Sequence, residues 1–159
     1  MSFDLPDDLM GLLKALRQDN ERVRLHATRA LWQRWYAEAG PEAERQLLAG
    51  TASMEQQRFA EAEQEFSQLI QQHPDFAEAY NKRATLHYIC HRYDRSLRDC
   101  HRVVELNPHH FGAWHGMGLC YFALDRYPEA LPAFRRALEI QPFAQINQAM
   151  SLECLVRMS

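Results

Sequence analysis

Pro74, Pro108 and Pro142 stand 34 residues apart, and around each of them one pattern of small and aromatic side chains recurs. A fixed period of that length makes a chain a stack of copies of one unit, each too small to bury its own apolar face alone. At the same spacing, Phe59, Tyr93 and Tyr127 form one series, and Gly50, Ala84 and Gly118 form another. Ala62, Ser96 and Ala130 form a third, and Phe66, Cys100 and Phe134 a fourth. Chance does not align columns in this way.

Each unit reads as two apolar-striped helices joined by a short turn, for instance 76–89 and 93–106. The small residues Ala62, Ser96 and Ala130 let the second helix approach the first closely, and the larger residue one turn later fills the space beyond. Each proline ends a second helix, because it cannot continue the hydrogen-bond ladder and restricts the residue before it. Asp75 followed by Glu78 has capping-box form, and Pro128 falls in the first turn of a helix over 127–140, where its missing N–H costs nothing. The first 42 residues are less regular. They predict one helix at about 5–18, with Leu5, Leu9, Leu12, Leu13 and Leu16 on one side, and another at about 21–39 carrying Val23, Leu31, Trp32, Trp35 and Tyr36. Shifting the frame back once puts Leu12, Thr28 and Trp32 on the columns of Trp114, Ala130 and Phe134. The expected organisation is a degenerate repeat or cap over 1–42, repeats over 43–76, 77–110 and 111–144, and a capping helix over 145–159.

These columns resemble those of tetratricopeptide-repeat proteins, especially small bacterial, cyanobacterial or organellar ones. Residues 111–144 match that pattern nearly in full through Trp114, Met117, Gly118, Tyr121, Ala130, Phe134, Ala137 and Pro142. Residues 43–76 keep Gly50, Ala62, Phe66 and Pro74 but have Gln46 in place of the first aromatic, and 77–110 carry Tyr80, Ala84, Ser96, Cys100, Val103 and Pro108. The resemblance implies an all-α, right-handed superhelical solenoid of about nine helices whose first helices line a concave groove. Carried over position by position, it places Met54, Asn81, Lys82, Thr85, Tyr88, His115, Leu119 and Phe122 in that groove. Asn81 is the position expected to clamp a peptide backbone, since an amide donates and accepts together. Large apolar neighbours there suit an amphipathic helix or an extended apolar peptide. Some members bind acidic chaperone tails through a cluster of Lys, Asn and Arg, but the matching positions here are Leu47, Thr51, Lys82, Gly112 and Gly116. Lys82 alone has the charge, so the chain is not expected to bind such tails.

Composition and motifs narrow the function classes. A formal net charge of −3 over 159 residues gives no basic field for nucleic acid or anionic lipid. Arg92-Tyr93 and Arg126-Tyr127 interleave cations with rings, but those tyrosines belong to the repeat columns and offer no free stacking faces. No apolar run approaches the ~18 residues of a membrane span, and the acidic start lacks signal-peptide character, so a cytoplasmic location is expected. Cys90, Cys100, Cys120 and Cys154 have no metal or redox spacing and read as packing thiols. His87 and His91 share a helix face with Cys90 between them, but the other ligands would have to come from His101 or Cys100, and Cys100 belongs to a core column; ordinary histidines are expected, with no metal and no cofactor. Gly112, Gly116 and Gly118 lie inside a helix, which excludes a phosphate loop, and Glu61, Glu63 and Glu65 read as a solvated face. With no nucleophile or dinucleotide signature, the expected protein is a non-enzymatic adaptor or assembly factor with a protein or peptide partner. The alternative is a homodimer or larger homo-oligomer using Trp32, Trp35 and Tyr36 as a self-interface.

Overall fold

The structure, a computed structural model, describes residues 7–159. Among the described residues it contains nine α-helices and no strand: α1 (Leu9–Ala15), α2 (Glu21–Tyr36), α3 (Pro41–Glu55), α4 (Phe59–Gln72), α5 (Ala77–Ile89), α6 (Tyr93–Leu106), α7 (Phe111–Ala123), α8 (Tyr127–Ile140) and α9 (Gln145–Met158). Hairpins α3–α4, α5–α6 and α7–α8 stack through α4 on α5 and α6 on α7, and α9 continues the stack on α8.

The period seen in the sequence recurs in the backbone. Gln57, His91 and Asp125 take φ values of 60°, 57° and 56° between the two helices of their hairpins. A left-handed residue there lets the chain reverse, and the freed carbonyls are recaptured by Arg58 N–H to Ser53 O (2.9 Å), Arg92 N–H to His87 O (2.8 Å) and Arg126 N–H to Tyr121 O (2.9 Å). Between units, Tyr80 Oη donates to the Pro74 carbonyl (3.0 Å), Trp114 Nε1 to Pro108 (2.9 Å) and Gln148 Nε2 to Pro142 (2.8 Å). The carbonyl before the next helix is thus satisfied three times in one way. A Cβ on Gly50 would lie 2.7 Å from Phe66, and one on Gly118 2.6 Å from Phe134, so the small column exists to admit the large one. The middle unit exchanges volumes, pairing Ala84 with the smaller Cys100 in one cluster.

α9 begins like the first helix of a further unit but ends the array. Asn147 is buried against His115 of α7 and Cys154 against Ala130, Leu131 and Phe134 of α8, while Leu152, on the column of Gly50, Ala84 and Gly118, is 64% exposed and puts a large side chain where the other units have a small one.

Two local expectations change. α1 is a seven-residue helix with Asp8 as its N-cap; Leu5 lies outside the described residues. Asn20 Oδ1 accepts from Arg22 N (3.0 Å) and Val23 N (3.3 Å), starting α2 well off the repeat frame. Gly40, at φ 92°, then turns the chain sharply into α3. With so short a first helix, α1 and α2 do not stack beneath residues 43–76 as a degenerate repeat. They cross the starts of the later units, sharing a core of Leu12, Leu16, Val23, Leu31 and Trp35 with Phe111 and Ile140. The capping box also fails: Phe76 is the N-cap, without a side-chain bond, and Glu78 is turned inward.

Candidate functional site

α2 runs over the N-terminal ends of α5 and α7. Trp35 stacks on His110 (ring centroids 4.6 Å apart), and Trp32 meets Phe111 edge-on at 5.4 Å. Tyr36 receives Lys82, whose Nζ lies 5.2 Å from the ring centre, within cation–π range. The rings that the self-interface alternative required therefore pack within the chain. Beneath them, Glu78 and His110 are both fully buried. Ala113 N–H donates to His110 Nδ1 (3.0 Å), capping α7 and leaving the ring proton on Nε2, which donates to Glu78 Oε1. Glu78 Oε2 accepts from Asn81 Nδ2 at 3.4 Å. Hydrogen bonds therefore run from the start of α7 to the amide of Asn81. Near them, burial and the charge of Glu78 push the Glu38 carboxyl above its ordinary value, opposed by Arg34.

Asn81 opens onto a cavity of about 190 Å³ between α5 and α7. Asn81, Thr85 and Tyr88 line it from α5, His115 and Leu119 from α7, with Ala84, Gly112 and Gly116 beside them and Ser96 and Cys100 from α6. Thr85 Oγ1 is turned back to the Asn81 carbonyl (3.1 Å), so it presents its methyl more than its hydroxyl. His115 Nδ1 lies 2.6 Å from Asn147 Oδ1, which fixes the ring against α9. The other three expected positions lie apart. Lys82 is held over Tyr36. Met54 packs into the core around α3 and α4. Phe122 meets Tyr127 at 5.1 Å, beside Arg157. Among the positions carried over for acidic tails, Leu47 is fully buried, Thr51 bonds back to Leu47 O (2.8 Å), and a side chain on Gly112 would strike Trp32.

A second polar network ties successive hairpins together. Arg83 holds Asp99 in a two-pronged pair (both bonds 2.8 Å) and reaches Ser67 at 3.2 Å. His87 Nε2 lies 3.7 Å from Asp99, while Nδ1 is buried without a partner. Burial pushes the His87 pKa down, against the opposing charge of Asp99. His91 turns to Tyr93 Oη (2.7 Å), so the two histidines face different neighbours. No group of three or more His, Cys, Asp or Glu positioned for a metal occurs among the described residues. Glu63, read as solvated, instead accepts from Arg92 at 2.8 Å and links α4 to the start of α6. Cys100, Cys120 and Cys154 are buried thiols, Cys90 a half-buried one.

Profiles described as tetratricopeptide repeat match residues 47–89 and 112–143. A TPR repeat-containing protein of Rhizobium etli is 38% identical over 69 residues, covering 43% of this chain and 34% of that protein. Anaphase-promoting complex subunit 3 of Schizosaccharomyces pombe is 28% identical over 109 residues, 69% of this chain and 16% of that protein. The chain thus spans about a third or less of these curated relatives. The first TPR of Spaghetti (RPAP3), solved bound to an HSP90 peptide, superimposes with a TM-score of 0.71 at 21% identity, covering 73% of this chain and 92% of that one. The Sgt2 TPR domain from Aspergillus fumigatus gives 0.70 at 18% identity, over 74% and 80%. Residues 47–89 and 112–143 are thus tetratricopeptide repeats, and the fold is the all-α solenoid that such repeats build.

Proposed function

We propose that the chain is a non-enzymatic, cytoplasmic protein-interaction module, an adaptor or assembly factor, that binds a partner peptide or helix between α5 and α7. One observation carries this: Asn81, Thr85, Tyr88, His115 and Leu119 converge on one open cavity with no Asp, Glu, Lys or Arg among its lining residues. That surface has an amide for a main chain and apolar walls for side chains. A similar fold in the Spaghetti TPR was solved with a peptide bound, which supports the class of ligand. The acidic tail itself is a poor match here, because Lys82 is engaged by Tyr36 and the remaining corresponding positions carry no cation.

The test is affinity capture from source-cell lysate with wild type and an Asn81→Ala/Tyr88→Ala/Leu119→Ala variant of matched circular dichroism. A protein held by wild type and lost by the variant is the expected result. Identical captures would place binding elsewhere on the chain and refute the groove.

A further inference from the structure

The groove reading, on which this inference rests, narrows to one kind of ligand through a glycine that internal packing does not explain. Gly50 and Gly118 make room for Phe66 and Phe134, and Gly112 makes room for Trp32, whose Cη2 would lie 2.8 Å from an added Cβ. At Gly116 an added Cβ meets only Cys100 Sγ, at 3.5 Å, an ordinary contact. Alanine would fit, and glycine is the least favourable helix-interior residue after proline. Yet Gly116 lies on the cavity wall, one turn beyond Gly112.

We infer that Gly116 is a ligand seat: the groove takes an uncharged, extended peptide that lays a flat apolar side chain on the bare backbone of Gly116 and gives a main-chain N–H to Asn81. Three observations carry the choice. Trp32 already lies on Gly112 in this manner, showing within the same helix which group such a gap accepts. Asn81 is 9% exposed and lines the groove; Glu78 takes one of its N–H groups, and its Oδ1 accepts no hydrogen bond among the described residues. That oxygen opens onto the groove, where a peptide N–H can take the place of water. Finally, no Asp, Glu, Lys or Arg lines the cavity, so a charged ligand group would lose its hydration without an ion-pair partner.

The probes are fluorescein-labelled, acetylated and amidated nonapeptides of Ser, Ala and Gln with a central Trp, Phe, Lys or Glu, beside a Trp-free set ending in Asp-Asp with a free carboxylate. Fluorescence anisotropy is read for wild type, Gly116→Ala and the triple groove variant, with thermal unfolding of each. Wild type should bind the Trp and Phe peptides in preference to the others. Gly116→Ala should weaken that binding roughly tenfold or more, as one added methyl in a filled contact does, while its melting temperature stays level or rises. If the acid-ended set binds better and the triple variant loses it, this inference falls and the groove reading stands. If the aromatic peptides bind Gly116→Ala as well as wild type but not the triple variant, the seat alone is wrong. Binding indifferent to both variants, or no binding to wild type, overturns the groove reading as well. A destabilised Gly116→Ala would give the glycine a packing role and remove the argument.

Discussion

Gly118→Ala tests the packing rule that builds every unit. The new Cβ would sit 2.6, 2.7 and 2.8 Å from Cε1, Cδ1 and Cζ of Phe134, a side chain with no exposed surface into which to retreat. Overpacking a closed core by one methyl costs about 1–3 kcal/mol. Replacing a helix-interior glycine returns about 1 kcal/mol, so the net loss reaches about 2 kcal/mol if the ring cannot yield. For a chain of this size, that is a fall in Tm of several degrees. Gly116→Ala on the same helix makes the same chemical change with its nearest contact at 3.5 Å, and should gain up to about 1 kcal/mol. Urea unfolding followed by circular dichroism measures both. Phe134→Cys, which reproduces the Ala84–Cys100 pairing of the middle unit, should abolish the cost of Gly118→Ala in a double-mutant cycle. An equal cost in both backgrounds would mean that contact with Phe134 is not the cause. If Gly118→Ala stabilised the chain as Gly116→Ala does, the register of the small and large columns would be refuted.

Trp35→Ala removes the ring stacked on His110 and should cost about 3–5 kcal/mol locally. Amide exchange should quicken across α1 and α2 while α3–α8 stay protected; uniform quickening would contradict a separable overlay. Glu38→Gln should stabilise the protein at neutral pH. The Glu38 carboxyl titrates higher in the folded state, so its contribution is favourable below the ordinary carboxylate range and is lost as pH rises through the folded value. The advantage of the variant should therefore vanish in acid, and a gain independent of pH would reject that cause. His87 has the opposite sign: burial depresses its pKa, so its contribution is present above about pH 6.5 and is lost as pH falls. His87→Gln should flatten the decline of the urea midpoint below that pH, and an unchanged slope would assign the decline to other groups.

The repeats were legible because each unit pairs its own columns: a residue that admits a neighbour and the residue admitted recur together every 34 positions. The Glu78–His110 pair has no such recurrence. The residues at the offset of Glu78 are Glu44 and Gly112, and those at the offset of His110 are Phe76 and Ala144. A contact made once between adjacent units leaves no period, and Glu78 resembled a cap because it falls in a first turn. The same limit divides the expected site residues. Asn81, Thr85, Tyr88, His115 and Leu119 lie in the cavity because neighbouring first helices put equivalent positions side by side. Lys82 is diverted by Tyr36, a neighbour outside the repeat rule, whereas Phe122 meets Tyr127 as Tyr88 meets Tyr93 one unit earlier.

The overlay also accounts for the character of the groove. Two carried-over positions on α5 and α7, Lys82 and Gly112, are covered by Tyr36 and Trp32 of α2. The cation that could meet an acidic ligand is thereby engaged, and what stays open is the uncharged stretch around Asn81, Tyr88, Gly116 and Leu119. The hydrogen bonds from Ala113 through His110 and Glu78 to Asn81 begin directly under Trp35, so the element that covers the N-terminal ends of the first helices is tied to the amide one turn further along α5. On the proposed groove reading, the irregular N-terminal helices therefore help to determine what the regular repeats would bind.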